Sequence, residues 1–189
     1  DLPQKAVIGT SSLRRRAQLL HRRPDLRVID FRGNVETRIA KLRDGLADAT
    51  VLARAGLNRL GRTDVACATL EPDDFLPAVG QGIVAVEWRD EAPGVREFVA
   101  ALVDAPTQWC ADAERAMLFE LDGSCRTPIA GHAICTAQDI WLRGLVLDPD
   151  GSAAFAGERR GPAVDAHRLG ADLGHELLAA SGHILVEFR

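Results

Sequence analysis

The sequence predicts an α/β protein in which a parallel-sheet domain is followed by a small α+β domain with a three-stranded antiparallel sheet. Three observations point there. Short apolar runs alternate with helix-periodic segments through residues 1–62, as in β-α-β units. Three strand-like runs joined by tight turns then follow residue 128, with a long helical segment after them. Apolar residues make up 47% and charged residues 26% of 189 residues, enough for a core and far from a disordered composition.

Ala6-Val7-Ile8, ending at Gly9, reads as a buried strand. Thr10-Ser11-Ser12 supplies capping hydroxyls for a helix from Leu13 to Arg22, whose apolar positions are Leu13, Ala17, Leu19 and Leu20. Leu26 to Ile29 is a second strand. Val35 to Leu46 is a second helix, carried by Val35, Ile39, Leu42 and Leu46. Ala49 to Ala53 is a third strand. Pro72, Pro77 and Gly80-Gln81-Gly82 punctuate the middle of the chain. Ile83 to Glu87 reads as another strand, and Val95 to Val103 and Thr107 to Leu121 as helices. Ile129 to Cys135, Ile140 to Leu147 and Ala153 to Arg160 are the antiparallel strands, and Ala163 to Ala180 is the closing helix. A domain boundary falls near Ala105-Pro106.

No window approaches 18 consecutive apolar residues, so no membrane-spanning helix is predicted. The N-terminus lacks a charged-then-apolar signal pattern, and with no initiator Met the chain is expected to start within a longer protein. Cysteines stand at 67, 110, 125 and 135, with no CxxC pair and no His at ligand spacing. That argues against a metal site and for free thiols in a reducing cytoplasm.

The net charge of −4 hides an asymmetry. Residues 1–62 hold 14 Lys and Arg against 6 Asp and Glu, so this part faces something anionic. Of the 23 basic residues only Lys5 and Lys41 are lysines. Codon bias accounts for some of that, but arginine also grips carboxylates and phosphates with a planar fork.

Three strand–turn–helix junctions concentrate this charge. Gly9 to Arg15 offers backbone N–H groups at a helix start, the hydroxyls of Thr10, Ser11 and Ser12, and then Arg14 and Arg15. Arg32-Gly33-Asn34 turns after the second strand, with Arg38 in the next helix. Arg59 follows the third strand. In parallel sheets, ligands bind at this C-terminal edge. Each junction alone also fits a capped helix with surface arginines; all three together favour an anion site. Cys125, in Gly123-Ser124-Cys125-Arg126, fits an exposed, electropositive thiol and a small buried residue equally well. The five histidines form no cluster with a nucleophile, and no pair of carboxylates marks an acid–base site.

Five strings, in this order and spacing, resemble the porphobilinogen deaminase (hydroxymethylbilane synthase) family across essentially the whole chain. They are Ile8-Gly9-Thr10-Ser11-Ser12-Leu13-Arg14-Arg15, Phe31-Arg32-Gly33-Asn34-Val35-Glu36-Thr37-Arg38, Leu52-Ala53-Arg54-Ala55-Gly56-Leu57-Asn58-Arg59-Leu60-Gly61, Leu76-Pro77-Ala78-Val79-Gly80-Gln81-Gly82 and Gly123-Ser124-Cys125-Arg126-Thr127-Pro128-Ile129. The resemblance implies a transferase of tetrapyrrole (haem) biosynthesis that joins four porphobilinogen units head to tail with loss of ammonia. It implies an architecture like the type 2 periplasmic binding proteins. Residues 1–76 would be the second domain, 77–104 the hinge with a strand and helix of an otherwise missing first domain, and 105–189 the third domain. It implies a dipyrromethane cofactor bound by thioether to Cys125. Thr10, Ser11, Ser12, Arg14, Arg15, Arg32, Gly33, Arg38, Arg59 and Gln81 would bind the carboxylates of cofactor and substrate. The family's catalytic Asp would lie upstream, so the resemblance implies no catalytic residue here, no turnover by this chain alone, and no metal. Its partners would be porphobilinogen and the growing oligopyrrole chain, with no nucleic acid or membrane, in a cytoplasmic enzyme that is monomeric at full length. A non-catalytic anion-binding module of the same fold is the competing reading; it explains the arginines but not the Gly-Ser-Cys loop. An RNA-binding domain would need more aromatics than Phe31, the one aromatic in residues 1–62.

Overall fold

A computed structural model of the protein describes residues 2–65, 68–89, 94–124 and 126–188. The first described element is β1 (Val7–Gly9), followed by α1 (Leu13–Arg22), β2 (Arg27–Ile29), α2 (Val35–Arg43), β3 (Ala49–Thr50) and α3 (Arg54–Arg59). The strands form a parallel sheet in the order β2-β1-β3, with Ile8 opposite both Val28 and Ala49. Ala6, Ile8 and Leu26 form its small core, packed by Leu19 and Leu20 of α1. Side-chain caps set where the helices begin: Ser12 accepts from the Arg15 N–H and Asn34 from the Thr37 N–H. α2 stops at Arg43, short of the predicted Leu46, because Gly45 turns the chain at φ 74°.

α4 (Val95–Ala100) and α5 (Ala105–Glu120) come next. Asp104 caps α5 through the Thr107 N–H, and Pro106 sits in the first turn, where its missing N–H costs nothing. β4 (Ile129–Thr136), β5 (Asp139–Leu147) and β6 (Ala154–Pro162) make an antiparallel sheet in that order, and α6 (Ala166–Leu185) closes the unit. Met117 of α5, Leu142 and Val146 of β5 and Leu173 of α6 are fully buried together. Each such side chain contributes about 1.5–3 kcal/mol of burial.

The strand predicted over Ile83–Glu87 does not form. Among the described residues of this segment no ladder partner is present, and Val84 is 90% exposed. A β-run without a neighbour leaves its backbone groups to water and gains nothing from being extended. Helix α4 also ends at Ala100, before the predicted Val103.

Residues 71–81 tie the two sheets together. The Leu76 carbonyl accepts from Arg14 at 2.6 Å and from Gln18 at 3.0 Å, both on α1. The Pro77 carbonyl accepts from the Gly131 N–H of β4, and Asp73 pairs with Arg143 of β5 at 2.9 Å.

Candidate functional site

A cavity of about 480 Å³ opens between the two sheets. One wall is the start of α1 with Arg38 of α2, bringing Ser11, Ser12, Arg14, Arg15 and Arg38 together; the other carries Ser124 and Thr127. Gln81 reaches it from the connecting segment, and Leu118 and Ile129 supply apolar surface.

The electrostatics are one-sided. Arg14 is buried, at 7% exposure, and its Nη1 is spent on the Leu76 carbonyl. Burial first, and then neighbouring Arg15, pulls it down to about 10, so it stays charged at neutral pH. Arg15 donates to the Val51 carbonyl at 2.8 Å and is lowered by burial and then by Arg38. Arg38 donates to the Gly33 carbonyl at 2.9 Å. None of the three has an acidic partner among the described residues, so three cations repel one another at one cavity wall. The N-terminus of α1 adds positive potential. Carboxylates would relieve this arrangement, and each charge-assisted hydrogen bond would contribute about 1.5–3 kcal/mol.

The remaining sequence candidates fall elsewhere. Thr10 is buried and accepts from the Ser12 N–H at 3.2 Å, so it shapes the turn rather than lining the cavity. Gly33, at φ 125°, makes the turn before α2; a Cβ there would meet the Thr37 side chain. Arg32 is 83% exposed and pairs with Asp30, and Arg59 is exposed at the end of α3. Neither lines the cavity: Arg32 is held by Asp30 in the turn after β2, and Arg59 stands at the last residue of α3. Cys125 lies outside the described residues. Its neighbours are well tied: the Ser124 N–H donates to Thr127 Oγ1 at 2.9 Å, and that hydroxyl donates to the Ser124 carbonyl at 2.6 Å.

Sequence reasoning missed three polar residues. Gln18 shares the Leu76 carbonyl with Arg14. Thr127 closes the Ser124 turn, and the Ser-x-x-Thr spacing was its available signal. Glu114, 4% exposed, accepts from the Gly80 N–H at 2.6 Å and from the Ala133 N–H at 2.7 Å. Burial outweighs these two bonds and raises its pKa. Its signal was an acidic residue between the apolar positions Ala113 and Met117. Among the described residues no three His, Cys, Asp or Glu side chains gather as metal ligands.

Comparison with known proteins decides the family. Residues 1–97 match the family model "Porphobilinogen deaminase, dipyromethane cofactor binding domain", and residues 108–179 match "Porphobilinogen deaminase, C-terminal domain". The chain belongs to the porphobilinogen deaminase family. A porphobilinogen deaminase of Paracoccus denitrificans is 54% identical over 177 residues, covering 94% of this chain and 56% of the relative. One from Nitrobacter winogradskyi is 52% identical over 182 residues (96% and 58%), and one from Sorangium cellulosum 48% over 181 residues (94% and 60%). The chain thus spans a little over half the length of these deaminases. The α1 wall belongs to the family's cofactor-binding domain, and the 124–127 loop to its C-terminal domain, so the cavity lies where the two meet.

Proposed function

We propose that this chain is the cofactor- and chain-holding part of a hydroxymethylbilane synthase, which condenses four porphobilinogen units head to tail with loss of ammonia. One observation carries the reading: three arginines without acidic partners among the described residues share a cavity with Ser124 and Thr127, beside Cys125 in the sequence. The supporting chemistry is simple. Each pyrrole ring bears an acetate and a propionate, so an oligopyrrole is a polyanion. The residues fit a dipyrromethane: Arg14, Arg15 and Arg38 would take carboxylates, Ser11, Ser12 and Gln81 would donate to their remaining lone pairs, and Leu118 and Ile129 would face the ring carbons. When bound, the dipyrromethane supplies the terminal pyrrole carbon to which new units are added. Cys125 is the attachment residue in this reading, as a thioether, and the Ser124–Thr127 turn holds its loop. Arg32 and Arg59 are kept as contacts for a longer chain beyond the cavity. The proton-handling Asp is supplied from outside these residues.

The reading includes an architecture like the type 2 periplasmic binding proteins. In it 1–76 is the second domain, 77–104 the hinge with elements of the first, and 105–189 the third. It includes a cytoplasmic enzyme, monomeric at full length. The exposed run around Val84 supports a partner sheet for the hinge.

The test is porphobilinogen consumption by the purified chain, alone and mixed with the N-terminal segment of the Paracoccus denitrificans relative that this chain does not cover. No turnover alone and recovery on mixing is the expected result; turnover alone would show that the catalytic group had been misplaced. Peptide mapping of the recovered enzyme should find two pyrrole units on the Cys125 peptide. An adduct on Cys67, Cys110 or Cys135 instead would overturn the assignment.

A further inference from the structure

A second cavity, of about 350 Å³, lies between residues 81–83, the first turns of α5 and strand β4. Cys110 of α5 and Cys135 of β4 both line it, and both thiols are free and half-buried. The packing register of helix on strand sets them opposite each other. Met117 lies against Gly131, where a Cβ would meet its Cε. One turn back, Glu114 Oε1 accepts from the Ala133 N–H at 2.7 Å. A further turn back along α5 is about 6 Å, and two residues onward along β4 is about 6.7 Å. The next rung is therefore Cys110 against Cys135. The alternation of β4 agrees, since Ile129 and Ala133, which share a face with Cys135, join the core against which Cys110 packs. The Cys135 backbone N–H also acts on the Cys110 thiol.

We infer that Cys110 and Cys135 form a redox-active dithiol site that takes a small-molecule disulfide as its oxidant and closes an intrachain disulfide between α5 and β4. The Cys135 thiolate attacks one sulfur of the small disulfide, and one small thiolate leaves. Cys110 then gives its proton to solvent, and its thiolate attacks the Cys135 sulfur and expels the second small thiolate. Two protein thiols are oxidised and the small disulfide is reduced to two thiols. Burial, and then the neighbouring Cys135, push the Cys110 thiol up to about 11. A thiol raised in this way holds little thiolate, so Cys110 is not the first to attack; once Cys135 carries the adduct its charge is gone, and the closeness of the two sulfurs drives the intramolecular step. The bond would brace the start of α5 against β4, on a cavity wall that Gln81 and Glu114 share. It does not rest on the proposed activity.

The test uses the chain carrying Cys67→Ser and Cys125→Ser, which leaves only these two thiols. It is incubated with oxidised glutathione, folded and in denaturant, then acid-quenched, alkylated and peptide-mapped without reductant. The expected product is one crosslinked peptide pair joining Cys110 and Cys135, formed about tenfold more readily in the folded protein. Adding Cys110→Ser should leave a glutathione adduct on Cys135 and no crosslink. Separate adducts on both cysteines, or equal closure in denaturant, would overturn the inference. Mapping the unsubstituted chain gives an independent readout: its first disulfide should join these two cysteines, and a first bond to Cys67 or Cys125 would refute the pairing.

Discussion

At Arg38 a guanidinium is half-exposed, so its loss should cost binding rather than folding. Arg38→Met should weaken binding of a pyrrole polycarboxylate by about tenfold or more, the worth of one charge-assisted hydrogen bond, with an unchanged melting temperature. Calorimetric titration and thermal denaturation separate the two. Arg59→Met should leave occupancy of the cavity unchanged, and an equal loss there would mean that Arg59 also reaches the ligand. A titration argument applies to His132. Its Nδ1 accepts from Arg143 at 3.1 Å, and burial, then Arg143, lowers its pKa below the ordinary 6.5. The folded protein therefore favours the neutral ring. That stability is complete above the ordinary pKa and is lost as pH falls through the lower folded value. Melting temperature should drop from about pH 7 to about pH 5, and His132→Gln should flatten that slope.

At the scale of elements, α6 packs on α5 closely enough that Gly170 has no room for a side chain. A Cβ there would fall on the Ala113 carbonyl, and one at Gly174 would lie 2.9 Å from the Met117 carbonyl. Gly170→Ala should force the helices apart and cost about 1–3 kcal/mol by overpacking, although Ala is the better helix former. Denaturant titration measures it, and a stabilised variant would show that the seam relaxes freely. Glu114 joins elements in another way, holding the 77–81 segment and β4 to α5 through two backbone N–H groups. Glu114→Gln keeps one acceptor and turns an amide N–H toward the other donor, so it should cost about 1–3 kcal/mol. The strand-like runs and the tight turns between them made β4, β5 and β6 legible in sequence. Glu114 was not, because only the packed sheet reveals which N–H groups lack partners.

For the molecule as a whole, the exposed run through Val84, Val86 and Trp88 is an apolar segment with no sheet partner among the described residues. Such a segment invites pairing with another chain. Val84→Lys with Val86→Lys should abolish concentration-dependent association, read by analytical ultracentrifugation, and leave the melting temperature unchanged because neither side chain is buried. Persistent association would place the contact elsewhere, for instance at Phe98 or Phe119, which are also exposed. The link between the sheets depends on few groups, chiefly the Leu76 carbonyl, the Asp73–Arg143 pair and the His21 contact to the Gly151 carbonyl at 2.9 Å.

Local pattern was enough for much of this protein. Apolar period, cap residues and turn glycines determine β1 through α2, α5 and the β4–β6 sheet, because each depends on neighbours a few residues away. The excess of arginine at strand–helix junctions likewise pointed toward the proposed anion site. Only the tertiary structure decided which arginines share one cavity: Arg14, Arg15 and Arg38 converge, while Arg32 pairs with Asp30 and Arg59 lies exposed at the end of α3. It also decided against a strand over Ile83–Glu87, whose composition suits one but which has no ladder partner among the described residues. A strand's hydrogen bonds belong to its neighbour as much as to itself, so sequence can offer a strand and only packing can accept it.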